Sequence, residues 1–217
     1  MFIGHYGPAF GAKAAMRAIP LWVLFVAVQW LDVWWSIFVL TGVEKVRIVP
    51  GFTPASPLDL YYMPYTHGLI GALVLSAILG AIMALFMKRQ RGLAFLIVAA
   101  AVFSHWILDL IVHMPDLPLY DNSMKVGFGL WRYFWLSASL ELAFLFVGAW
   151  FYARFVPAKP RGNLWLGIFV LVMAAVEFVN LYSPPPASDK VMAVKALAAY
   201  GVLTLLAAVV DRTRVKA

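Results

Sequence analysis

A chain of 217 residues that is 64% apolar and only 12% charged, with apolar runs of about twenty residues recurring along it, reads as a polytopic membrane protein. Its net charge of +7 lies in short basic clusters between those runs, where it orients spans, so nucleic acid is not expected as a partner. The absence of cysteine removes disulfides, thiolate zinc sites, iron–sulfur clusters and a thiol nucleophile, and leaves any metal to His, Asp, Glu, backbone or water ligands.

Residues 1–18 are too few to span, but Pro8 can open a short half-span or interfacial helix that reaches Lys13 and Arg17. No basic region precedes the first apolar residues, and no cleaved signal peptide is expected. Pro20 starts the first full span, 21–41, which is interrupted only by Gln29 and Asp32. The loop 42–64 holds four prolines and is not a regular helix throughout; it carries Asp59 toward Thr66-His67. Spans 66–87 and 92–113 form a hairpin with Lys88, Arg89 and Arg91 at its tip. Pro115 ends the second of them, and a glycine-containing loop leads to Trp131, Arg132 and Tyr133 at an interface. Spans 134–155, 164–182 and 192–210 follow, carrying Glu141 in the first and Glu177 in the second. The expected fold is an all-α integral membrane protein: one polytopic domain of about six transmembrane helices plus the short amino-terminal helix. Basic clusters at the amino-terminal segment, the Lys88 loop, 154–161 and the tail put both termini in the cytoplasm and the Asp59 and Asp121 loops outside.

The stretch Ser104 to His113 is apolar enough for a membrane helix yet carries His105, Asp109 and His113 at i, i+4 and i+8, a single narrow stripe. An aspartate near the centre of a membrane helix costs roughly 2.5–3.5 kcal/mol, so the stripe should face a bundle interior, a wet cavity or a metal. Depth arithmetic at about 1.5 Å per residue places Asp32 and His105 at roughly the same level, with His5 near it, while Asp109, His67 and His113 lie further out. All four histidines of the chain thus fall on segments that can approach one region, which points to a metal site in one layer or two. Glu141 and Glu177 have no histidine in their vicinity and read as structural acids or supports. Haem has no attachment motif.

His5, Asp32, Thr66-His67 and His105-Trp106-Ile107-Leu108-Asp109 resemble the LexA-regulated, inner-membrane-associated metal-dependent hydrolases, over Met1 to about Asp116. The resemblance implies metal ligation by His5, Asp32, His67, His105 and Asp109. A second histidine before the Thr-His pair and a denser acidic motif, usual there, are missing from 62–65 and 33–36, and Asp59 or His113 can substitute. The expected function is therefore hydrolysis of a lipidic or amphiphilic substrate at a divalent metal, zinc first and iron or manganese after it, with Asp59 or His113 as proton acceptor. The rival is a non-enzymatic membrane subunit or a small proton or metal transporter, whose aromatic surface binds partner helices in the inner (cell) membrane.

Overall fold

The computed structural model describes residues 1–215. A 3₁₀ turn at Ile3–His5 runs into α1 (Tyr6–Ala15), followed by α2 (Leu21–Val28), α3 (Trp30–Thr41), the strands β1 (Lys45–Ile48) and β2 (Leu58–Tyr62), and α4 (Leu69–Phe86). Then come α5 (Arg91–Val112), a 3₁₀ turn at Leu130–Arg132, α6 (Phe134–Phe155), α7 (Gly162–Tyr182) and α8 (Asp189–Asp211). Five of these helices, α4 to α8, are long and apolar enough to cross a membrane, and α2 with α3 makes a sixth if the bent pair counts as one. Large apolar side chains cover their outward faces: Leu73, Val74, Ile78, Ile82, Leu85 and Phe86 are all exposed on α4. A soluble domain rarely leaves an apolar surface of that extent in water, and this arrangement fits a membrane protein.

The span expected at 21–41 is not one straight helix. It bends by 53° between Val28 and Trp30, with Gln29 at φ −105°, ψ 7°. No proline or glycine marks the bend. Its local consequences are that Val28 ends α2 with a carbonyl free for a side-chain partner and that Asp32 enters the first turn of α3, where the helix dipole favours an anion. At its other end α3 stops at Gly42, whose φ of +79° allows the closing bond from Val43 N–H to the Phe38 carbonyl, at 2.8 Å. Glu44 is thereby turned back under the chain. The proline-rich loop beyond it contains the antiparallel β1–β2 pair, with Arg47 opposite Asp59.

Helix α1 packs on α6 through two glycines. A Cβ on Gly7 would overlap the Phe144 carbonyl, and one on Gly148 would overlap the Gly7 carbonyl, so the backbones touch and the short helix sinks into the bundle. His5 and Tyr6 become fully buried. Beneath them an aromatic layer closes the core, with ring centroids 4.5 Å apart for Tyr6–Phe25, 5.4 Å for Phe10–Tyr152 and 5.7 Å for Phe25–Phe169. The antiparallel α4–α5 hairpin flanks this layer, and α2 and α3 pack on α8.

Candidate metal centre

Asp109 lies at the middle of the polar interior, and all four histidines turn their Nε2 atoms toward its carboxylate. His5 Nε2 stands 3.2 Å and His113 Nε2 3.5 Å from Oδ1, while His105 Nε2 stands 3.1 Å and His67 Nε2 3.6 Å from Oδ2. Asp32 Oδ1 adds a second acidic pole, 3.3 Å from His67 Nε2 and 3.5 Å from His105 Nε2. The amino-terminal ammonium also reaches Asp109 Oδ1, at 2.8 Å. Two overlapping triads have ligand atoms close enough to share an ion: His5 with His105 and Asp109, and Asp32 with His67 and His105. Among the sequence-derived candidates, the structure therefore brings together His5, Asp32, His67, His105, Asp109 and His113.

The other ring nitrogens explain why Nε2 faces inward. His105 Nδ1 lies 2.7 Å from the Val28 carbonyl, an acceptor only, so it carries the proton and leaves the Nε2 lone pair free. The bend at Gln29 positions that carbonyl. His113 Nδ1 donates to Asp116 Oδ1 at 2.9 Å, which fixes the same tautomer. For His67 the partner is the Thr66 hydroxyl, at 2.8 Å; that hydroxyl donates its own proton to Glu44 Oε2 at 2.6 Å, so His67 Nδ1 must be the donor. Glu44 Oε1 also accepts the backbone N–H groups of Tyr65 and Thr66, at 2.8 and 2.9 Å, and locks the turn that delivers His67. Three of the four histidines thus have the arrangement in which one ring nitrogen is anchored to oxygen and the other is offered to a metal.

The fourth, His5, is held by stacking on His105, with centroids 3.7 Å apart and planes 6° from parallel. Among the described residues, neither of its ring nitrogens has a hydrogen-bond partner, and neither has His105 Nε2, although all three atoms are buried. Buried polar atoms without partners are uncommon and unfavourable by about 1–3 kcal/mol each. An ion bound by the two Nε2 atoms would remove that penalty at both of them, and the His/Asp donor set suits a borderline divalent metal.

Asp59 is not part of the cluster. Its Oδ2 lies 2.7 Å from Arg47 Nη2 and 2.8 Å from Arg47 Nε on the paired strands, so the proton-acceptor role expected for it is displaced by a guanidinium. The sequence reading missed Glu44 and Asp116, and also Tyr200, whose hydroxyl donates to Asp32 Oδ2 at 2.7 Å. Asp116 carried a legible signal, its spacing of three from His113. Glu44 and Tyr200 carried none, because their partners are 22 and 168 residues away. Glu141 is placed at the start of the chain, where Oε2 accepts the Phe2 and Gly4 N–H groups at 2.7 and 3.1 Å. Both oxygens of the buried Glu177 lack a hydrogen-bond partner among the described residues.

A cavity of about 660 Å³ opens from the cluster. Asp32, His67, Asp109 and His113 line one part of it; Leu60, Met63, Trp131 and Met192 give it apolar walls, and Ser56, Pro57 and Pro184 to Pro186 line its loop end. Its size is that of a small-molecule site. Comparisons of the chain with family models, with curated proteins and with solved structures return no match.

Proposed function

We propose that this protein is an inner-membrane, metal-dependent hydrolase that acts on a lipidic or amphiphilic substrate, with both termini in the cytoplasm. The observation that carries the reading is the set of Nε2 atoms converging on Asp109, three of them with their Nδ1 protons anchored to oxygen. His5, Asp32, His67, His105 and Asp109 would hold the ion, with zinc the first choice for such a set and iron or manganese the alternatives. A divalent ion there supplies an activated water near neutral pH and a Lewis acid for a carbonyl or phosphoryl oxygen. The chain's own contributions are distinct from that. Val28 and the Glu44–Thr66 pair fix the ring orientations, Tyr200 fixes Asp32, and the apolar cavity walls hold an acyl or similar chain while limiting access of bulk water. The resemblance of the first half of the chain to the LexA-regulated, inner-membrane-associated metal-dependent hydrolases points the same way.

A transport role requires a continuous polar path to both sides. The fully buried Phe10, Leu24 and Phe25 lie on the helices that continue from the cluster toward Lys13, and they favour a closed-ended site over a conduit. The test is metal analysis of detergent-purified protein, followed by hydrolysis of long-chain p-nitrophenyl esters and of phosphatidylglycerol in mixed micelles, before and after chelation. Stoichiometric metal with chelator-sensitive turnover is expected; metal-free protein would overturn the reading. The orientation is tested with Met124→Cys, an exposed loop position in a chain that has no cysteine of its own. It should react with an impermeant maleimide from outside the cell membrane, and labelling only after the cytoplasm is opened would reverse the topology.

A further inference from the structure

We infer that the cluster is built for two divalent ions bridged by Asp109, an inference that rests on the metal-dependent reading and specifies it. Six side chains face one small volume: His5, His67, His105, His113, Asp32 and Asp109. A tetrahedral site takes four ligands. The two triads that are close enough to bind an ion share His105, whose Nε2 has a single lone pair, so one histidine nitrogen cannot serve both. The carboxylate can. Asp109 presents Oδ1 to His5 and His113 and Oδ2 to His67 and His105, two histidines on each oxygen. The first ion is assigned to the triad of Asp32, His67 and His105, with Asp109 Oδ2 3.1 Å from His105 Nε2 and 3.6 Å from His67 Nε2, and the second to His5 and His113, whose Nε2 atoms stand 3.2 and 3.5 Å from Asp109 Oδ1. A carboxylate with one ion on each oxygen is the bridge of two-metal hydrolytic sites, whose ions lie roughly 3.5–4 Å apart.

One further observation supports the division: among the described residues, the partnerless Nε2 atoms are on His5, which faces Oδ1, and on His105, which faces Oδ2. In this assignment His113 is a ligand and not a free proton acceptor, and its Asp116 partner plays for it the part that Val28 and Thr66 play for the other two anchored rings.

The test uses Mn²⁺ alone as the probe, added to the detergent-purified, metal-stripped full chain. Wild type should bind two equivalents and show the electron paramagnetic resonance spectrum of an exchange-coupled pair. His5→Gln and His113→Gln, placed on different elements so that a folding defect in one does not decide the matter, should each bind one equivalent with the hyperfine pattern of an isolated ion. One equivalent in wild type, uncoupled, would overturn the second ion and leave the single-metal reading intact. Coupled pairs in both variants would overturn the ligand assignment. Absence of any tightly bound ion would overturn the metal-dependent reading itself.

Discussion

Helix α1 connects two buried polar clusters of opposite character. At its start His5 joins the four-histidine group; about 12 Å further along the axis, Lys13 joins Asp211, Tyr152 and Arg214. In the second cluster donors and acceptors match, except that Arg214 Nε has no partner among the described residues. Lys13 Nζ donates to the Arg17 carbonyl at 2.8 Å, the Ile19 carbonyl at 2.9 Å and Asp211 Oδ2 at 3.1 Å, which uses all three protons. Asp211 also accepts the Leu21 N–H and the Tyr152 hydroxyl, both at 3.0 Å, and Arg214 Nη1 donates to Asn163 Oδ1 at 2.8 Å. This is a clasp that ties the end of α1 and the start of α2 to α8 and α6. The histidine cluster has lone pairs aimed at one another and no donor between most of them. Burial of polar groups alone therefore does not mark a site; an excess of inward-facing acceptors does.

The largest effect should come from His105→Ala. The variant removes one Nε2 that both possible triads require and leaves the Val28 carbonyl without its partner. It should abolish retention of the ion that Asp32 and His67 share with His105 and leave at most the one facing His5 and His113, read by mass spectrometry on protein that still elutes as a single species. Full retention would mean that the inward-facing nitrogens are packing and not ligation. Asp211→Ala tests the other cluster. It removes the carboxylate that faces the Lys13 ammonium and should lower stability by about 3 kcal/mol while leaving metal content unchanged, measured by a thermal melt in detergent beside metal analysis. Loss of metal without loss of stability would erase the distinction between the two clusters.

A smaller effect is expected from Thr66→Val, nearly the same in shape but unable to accept from His67 Nδ1 or donate to Glu44. Metal affinity should fall by roughly 10–100-fold, the usual consequence of removing the group that orients a ligating ring. A competition titration with a chromophoric chelator reads this directly. An unchanged affinity would show that the stack of neighbouring rings, and not the hydroxyl, holds His67 in place.

Legibility followed the range of the interaction. The stripe His105, Asp109, His113 is set by the helical period alone, and the structure places these residues on one face around a single carboxylate. The apolar run that becomes α6 is legible from hydropathy, whereas the short amino-terminal helix starts at Tyr6, two residues before the Pro8 expected to open it. The bend at Gln29 is not legible, because no proline or glycine marks it and it is accompanied by a tertiary acceptor relation to His105, 77 residues distant. The strand pair inside the proline-rich loop was equally hidden, and with it the fate of Asp59. That aspartate could be placed near Thr66 in sequence, but the strand register that sets it opposite Arg47 is decided by cross-strand pairing.

Glu177 lies between the two kinds of cluster and gives the smallest expected effect. It is 1% exposed, neither oxygen has a hydrogen-bond partner, and it lines the same cavity as Asp32, His67, Asp109 and His113. By the criterion of unmatched acceptors it resembles the histidine cluster, yet it belongs to neither triad that could hold an ion, and α7 carries no histidine. Its side chain is nearly isosteric with glutamine, and no charged partner among the described residues depends on it. Glu177→Gln should therefore leave metal content unchanged and shift the melting temperature by no more than the small amount typical of a conservative exchange. The same expectation holds for Glu141→Gln as regards metal, although exchanging a carboxylate for a weaker amide acceptor at the Phe2 and Gly4 N–H groups should cost it some stability, about 1 kcal/mol. If Glu177→Gln instead loses metal with its fold intact, the coordination sphere reaches into the carboxy-terminal half, and the division between α1–α5 as the ligand scaffold and α6–α8 as cavity wall fails.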